Sequence, residues 1–265
     1  MPSAVIDGLA RGAREQDWPP LPEWEHRPLH RAVLGALGPV DGLRLLDVGC
    51  GVGLLLRSAE SRGALVAGVD SAVESLEIAR WALPEVDLRV GDATAVPFPD
   101  AAFDVVTAST AVPPGGRDRV AVLAELARVT RAGGRVAVGG WAHPAGCWAQ
   151  EFGSRLRRLA PDGPLTTGTG AEPGLAGDLS AAGLTVLGGG ELDCPAVYPT
   201  RGAMWAAMLG SEQLLQVIGF AGERAVHEAF LASVEPVVAA DGSVHVSKAF
   251  RFSVAAVAGP PCFAQ

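Results

Sequence analysis

LRLLDVGCGVG, residues 43–53, opens as a short apolar run and closes on three glycines spaced two apart. Such a run ended by glycine reads as a buried strand followed by a tight turn. At Gly49, Gly51 and Gly53 the backbone can bend where a Cβ would obstruct it, and can approach a ligand closely. The helical pattern from Leu54 to Arg62 then presents its first N–H groups beyond the turn. Working outward, the alternation repeats. ALVAGVD (64–70), VDLRVGD (86–92), FDVVTAS (103–109) and GRVAVGG (134–140) read as strands, with helices over Ala72 to Trp81 and Arg119 to Thr130. Strands alternating with helices of this length predict βαβ units and a parallel sheet covered on both faces. Ligands of such sheets bind beyond the carboxyl ends of the strands, where strand order reverses.

The flanks are looser. Residues 28–37 carry a helical period, after a Pro-rich bend at 18–22 and a short N-terminal helix. Helices are expected at 148–160 and 175–182, a strand at 184–192 (LTVLGGGEL), two or three helices across 200–239, and a long final strand at 246–259. The expected organisation is an N-terminal helical lid (1–40), an α/β core (41–193), a helical cap insertion (194–245), and a final core strand with its tail (246–265).

Composition narrows the function. Hydrophobic residues make up 49% of the 265 and charged residues 19%, enough apolar material for a core and unlike a disordered chain. The net charge is -8 and the basic residues are scattered, the densest group being Arg155, Arg157 and Arg158, which argues against a nucleic-acid partner. Cys50, Cys147, Cys194 and Cys262 show no metal-ligand spacing, so reduced thiols and no metal are expected. The N-terminus lacks the apolar region of a signal peptide, and no run reaches the roughly 18 apolar residues of a membrane span. These features predict a soluble, cytoplasmic protein with no membrane partner; monomer and homodimer both remain open.

Three carboxylates close the strands. Asp47 precedes the glycine turn. Asp70, with Ser71 next, can accept hydrogen bonds from both hydroxyls of a ribose. Its position 21 residues beyond Gly49 suits a dinucleotide enzyme equally, and an N-cap for the next helix is the plainer alternative. Asp92, followed by Ala93, can read the edge of an adenine, where dinucleotide folds hold that base by apolar contacts.

Together LLDVGCGVG, GVD, GDATAVPFPDAAFDVV and LARVTRAGGRVAV resemble the class I S-adenosylmethionine (SAM)-dependent methyltransferases over about residues 41–142. The nearest likeness is to the small-molecule branch related to ubiquinone biosynthesis. The resemblance implies a Rossmann-like, doubly wound α/β sheet of seven strands, mostly parallel, with an antiparallel last strand between the fifth and sixth, plus a helical cap. It implies SAM as cofactor, with Asp47, Gly49, Cys50, Gly51 and Gly53 cradling its methionine part. By the same likeness Asp70, with Ser71 beside it, binds the ribose and Asp92-Ala93 the adenine, while Ser109 and Thr110 face the amino-acid portion and the methyl group. Residues 24–37 resemble the helix that closes over SAM, and 241–257 the return strand of bacterial natural-product methyltransferases. One departure is Ala111-Val112-Pro113-Pro114-Gly115, where many members carry an aromatic-His pair.

Methyl transfer from a sulfonium is an in-line displacement that depends mainly on positioning, and a base is needed only where the acceptor must lose a proton. His143, after the fifth strand, is the candidate base, with an ordinary loop histidine as the alternative. His26 and His30, on the expected lid helix, are further candidate bases, with exposed histidines on a solvated helix face as the alternative. Tyr198 is a candidate substrate contact, and Trp24, Trp141, Trp148 and Trp205 could line an apolar pocket or simply pack. The expected activity is methylation of a hydroxyl, amine or activated carbon on a small, largely apolar metabolite in secondary metabolism. The alternatives are a SAM-binding cyclase or rearrangement enzyme of the same fold, a NAD-dependent oxidoreductase, and a non-catalytic SAM-binding regulator.

Overall fold

The computed structural model describes residues 26–109, 111–112, 116–142, 147–161, 175–209 and 212–258. The chain divides into two compact units, residues 1–140, 173–190 and 251–265 in the first, and 141–172 and 191–250 in the second.

The first unit is built on the sheet. In chain order its elements are α1 (Arg27–Leu37), β1 (Arg44–Val48), α2 (Leu54–Glu60), β2 (Leu65–Asp70), α3 (Val73–Ala82), β3 (Asp87–Val90), β4 (Phe103–Ala108), α4 (Gly116–Val129) and β5 (Thr130–Trp141). Later come α6 (Leu175–Ala181) and parts of β6 (Leu184–Tyr198) and β7 (Val244–Val257). The strand order is β3-β2-β1-β4-β5-β7-β6, as the family resemblance implied. β1 pairs in parallel with β2 and β4, β2 with β3, and β4 with β5. Ala258 N–H donates to Gly183 O while Gly189 lies against Phe252, so β6 and β7 run in opposite directions. Strand order reverses between β1 and β4, which opens a crevice at their carboxyl ends.

Both sheet faces are apolar. Leu46, Val48, Val106 and Val138 pack with Val122, Leu123 and Leu126 of α4, all buried. The apolar face of α1 (Leu29, Val33, Leu34, Leu37) is buried and packs against α2. α1 thus joins the core through its apolar face, and residues 1–25 of the expected lid lie outside the described residues.

Two strands depart from expectation. β5 begins at Thr130, which pairs with Phe103, and the register then jumps to Val105 against Arg135. The extra residues include Gly133 at φ 70°, a bulge that the RAGG stretch accommodates. β6 runs on to Tyr198 through Pro195, beyond the strand at 184–192 that the sequence suggested. β6 is the sheet edge, where a missing N–H costs no ladder bond.

The second unit holds α5 (Trp148–Leu159), α7 (Arg201–Met208), α8 (Glu212–Ala221), α9 (Glu223–Val234) and a 3₁₀ turn (Glu235–Val237). Its core joins Phe152 and Leu156 to Met204, Trp205, Val217, Val226 and Phe230. The apolar pair at i and i+4 on α5 draws residues 141–172 into this unit, so it is larger than the 194–245 insertion expected. Among the described residues no helix is long and apolar enough to cross a membrane, and no group of His, Cys, Asp and Glu could hold a metal ion.

Candidate cofactor site

The site is made by turns at the carboxyl ends of β1, β2 and β3. Gly49, Gly51 and Gly53 all take positive φ (75°, 52° and 83°), which other residues rarely adopt. Gly49 and Cys50 both donate their N–H groups to Val69 O (2.8 and 3.0 Å), turning the chain tightly after β1. A Cβ on Gly49 would lie 2.6 Å from the Ala111 Cβ, so the close approach itself demands glycine.

Asp70 ties the turn to its neighbour. Its Oδ2 accepts from Gly51 N–H (2.7 Å) and its Oδ1 from Ala72 N–H (2.8 Å). A carboxylate has about four lone-pair positions, so two stay available to ligand hydroxyls. At the end of β3, Asp92 Oδ1 accepts from both the N–H (2.7 Å) and the hydroxyl (2.6 Å) of Thr94. These bonds hold the Asp92 carboxyl below the usual carboxylate range, and Oδ2 keeps its acceptor capacity for an amino group.

These residues surround a cavity of about 620 Å³, in the range of small-molecule sites. Gly49, Asp70, Ser71, Asp92 and Ala93, all candidates from the sequence, line it. So do Thr94, Ala111, Asp118 and Val122, which the sequence reading missed. Asp118 and Val122 come from the first turns of α4, four residues apart, and only the helix register brings them here. Among the described residues the titratable lining groups are three carboxylates, Asp70, Asp92 and Asp118, with no Lys, Arg or His.

Asp47, Cys50, Gly51, Gly53 and Ser109 do not line it. Asp47 is 3% exposed and pairs across the sheet with Thr107, whose hydroxyl donates to Asp47 Oδ1 (2.6 Å). Burial pushes its carboxyl up to about 7, the Thr107 bond opposes this, and Asp70 adds to it. Cys50 is buried against Gly68, where a Cβ would meet its sulfur at 2.8 Å. Burial first, then Asp47 and Asp70, pushes the thiol well up, which suits a space-filler and not a nucleophile. Ser109, at the end of β4, is buried and its hydroxyl has no hydrogen-bond partner, a cost that a polar ligand atom would remove.

The other candidates stand apart. His26 immediately precedes α1 and His30 lies on it; burial lowers them to about 4 and about 3, with His26 and Arg27 adding to the shift of His30. Tyr198 is pushed up to about 12 by burial, and Trp148 and Trp205 pack in the helical core. Trp24, Thr110, His143 and the Trp141 side chain lie outside the described residues.

Known proteins share this arrangement. Residues 46–138 match the family described as a methyltransferase domain. The demethylmenaquinone methyltransferase of Renibacterium salmoninarum is 37% identical over 136 residues, 51% of this chain and 57% of that protein. The nocamycin O-methyltransferase of Saccharothrix syringae is 36% identical over 156 residues, 53% of this chain and 55% of that protein. The chain thus spans little more than half the length of these curated relatives. The crystal structure of the [4+2]-cyclase SpnF shares the fold at a TM-score of 0.56 and 21% identity, covering 97% of this chain and 94% of that one. Residues 46–138 are thus similar to the methyltransferase-domain family.

Proposed function

We propose that this chain is a SAM-dependent methyltransferase acting on a hydroxyl, amine or activated carbon of a small, largely apolar metabolite in secondary metabolism. One observation carries the reading: the glycine turn after β1 and the carboxylates Asp70 and Asp92, ending the next two strands, surround one cavity. Among the described residues, a lining of three carboxylates without a basic side chain suits a cationic adenosyl ligand and opposes the pyrophosphate of a dinucleotide. Bound SAM supplies an activated methyl on a sulfonium.

The chain's own part is to hold that ligand. Asp70 receives the ribose hydroxyls, Asp92 the adenine amino group, and Val122 with Ala93 covers the base. The Gly49–Gly53 turn admits the amino-acid portion close to the backbone, and Ser109 offers its unpaired hydroxyl at the end of β4. Asp47, through Thr107, fixes the strand ends from beneath. His143 remains the candidate base for acceptors that must lose a proton. An acceptor resembling demethylmenaquinone, or one methylated on oxygen as in the nocamycin O-methyltransferase, is consistent with the relatives' names. The free thiols Cys50 and Cys147 accord with a reducing, cytoplasmic setting, and no nucleic-acid or membrane partner is proposed.

The test is transfer of isotope-labelled methyl from SAM to a panel of hydroquinones, phenols and amines, with S-adenosylhomocysteine counted against product. Equal amounts support methylation. The likeness to a cyclase keeps a second reading in view, and product formed while SAM stays intact would establish that reading instead.

A further inference from the structure

The three carboxylates that face the cavity are not equivalent. Asp70 is met by two backbone N–H groups, and Asp92 by the N–H and hydroxyl of Thr94. Asp118, exposed in the first turn of α4, makes no hydrogen bond or ion pair among the described residues. Donors at a carboxylate offset its charge locally, whereas one held only by water keeps more of its charge for a ligand that displaces that water. Among the described residues no basic side chain lines that space to balance it.

We propose that Asp118 is the residue through which this cavity reads the charge of its ligand. It favours the cationic sulfonium over the neutral thioether left after methyl loss, and it disfavours phosphorylated adenosines. The inference rests on the adenosyl-ligand reading given above. Its use in turnover is direct: the ligand loses one positive charge when the methyl leaves, so the attraction that helped it bind no longer retains it.

An acidic residue in a helix's first turn also complements the helix dipole. That role stabilises the fold and acts alike on every ligand, so selectivity separates the two. The experiment is calorimetric titration of the full chain, Asp118→Asn and Asp118→Lys with SAM, S-adenosylhomocysteine and AMP, folding being checked by circular dichroism. Asp118→Asn should weaken SAM about three- to tenfold and leave S-adenosylhomocysteine within about twofold. Asp118→Lys should weaken SAM further and bind AMP more tightly than the natural chain does. An unchanged ratio of SAM to S-adenosylhomocysteine affinity in both folded variants overturns the inference, whether or not the melting temperature falls. Failure of the natural chain to bind either adenosyl ligand removes the cofactor reading itself, and the inference with it, before any variant is compared.

Discussion

Around the β1 turn, recognition is the work of backbone and register. Val48 pairs with Val69 and Asp70 with Val90, so the strand ends fall side by side and their turns converge on one space. The groups offered there are N–H donors and carboxylates whose places the sheet dictates. In the helical unit the same number of residues does something different. Trp205 and Phe230 (ring centroids 5.2 Å apart), Phe152 against Phe230 (6.0 Å) and His227 against Trp205 (4.7 Å) fill a core in which size and shape matter more than identity. Chemistry set by the backbone leaves a sharp trace in sequence, because few residues satisfy a positive φ or a two-donor carboxylate. Chemistry set by packing leaves a faint one.

If that contrast is sound, damage in the two regions should separate. The largest effect belongs to the helical unit. Phe230, fully buried, should cost about 3–5 kcal/mol of stability when changed to Ala. Urea unfolding checks this, and calorimetry on the folded variant should find SAM affinity within about twofold of the natural chain, since sites that share no packing partners act independently. A loss of binding as great as the loss of stability would break the comparison. Next is Asp70→Ala, which removes the acceptor for Gly51 and Ala72 as well as the ribose contacts. SAM affinity should fall about ten- to hundredfold with the melting temperature little changed. Unaltered affinity would dismiss the ribose assignment.

Asp47 gives a smaller, pH-dependent effect. Its carboxyl titrates near 7 in the folded chain against 3.8 ordinarily, so between those values the folded state holds the extra proton. Stability therefore falls as pH rises from about 4 to about 7. Asp47→Asn keeps an oxygen for the Thr107 hydroxyl and has no charge to bury. Without ligand it should exceed the natural chain by about 1 kcal/mol at pH 8, and the advantage should vanish near pH 4. An advantage independent of pH would show that Asp47 is not protonated by burial. Smallest is His30, whose ring burial lowers to about 3. Its nuclear magnetic resonance signal should not move between pH 8 and pH 5, and a midpoint near 6.5 would place the ring in water instead.

Much of the sheet was legible from residues 43–140, because parallel strands buried on both faces appear as short apolar runs and each helix between them carries its own period. Gly49, Asp70 and Asp92 were legible for the same reason: each ends a strand. Asp118 was not, since nothing in GGRDRV tells which face of α4 turns toward the crevice. The burial of Asp47 was hidden too, because it follows from its pairing with Thr107, sixty residues away. The recruitment of α5 to the helical unit depends on packing against Phe230, which no local pattern announces.

The central claim is that the cavity at the ends of β1, β2 and β3 takes an adenosyl sulfonium ligand. Calorimetric titration of the full chain with SAM, S-adenosylhomocysteine and NADH, each alone, tests it most directly. The account predicts micromolar binding of both adenosyl ligands and none of NADH. Binding of NADH without SAM would contradict it, and would make the glycine turn the phosphate cradle of an oxidoreductase.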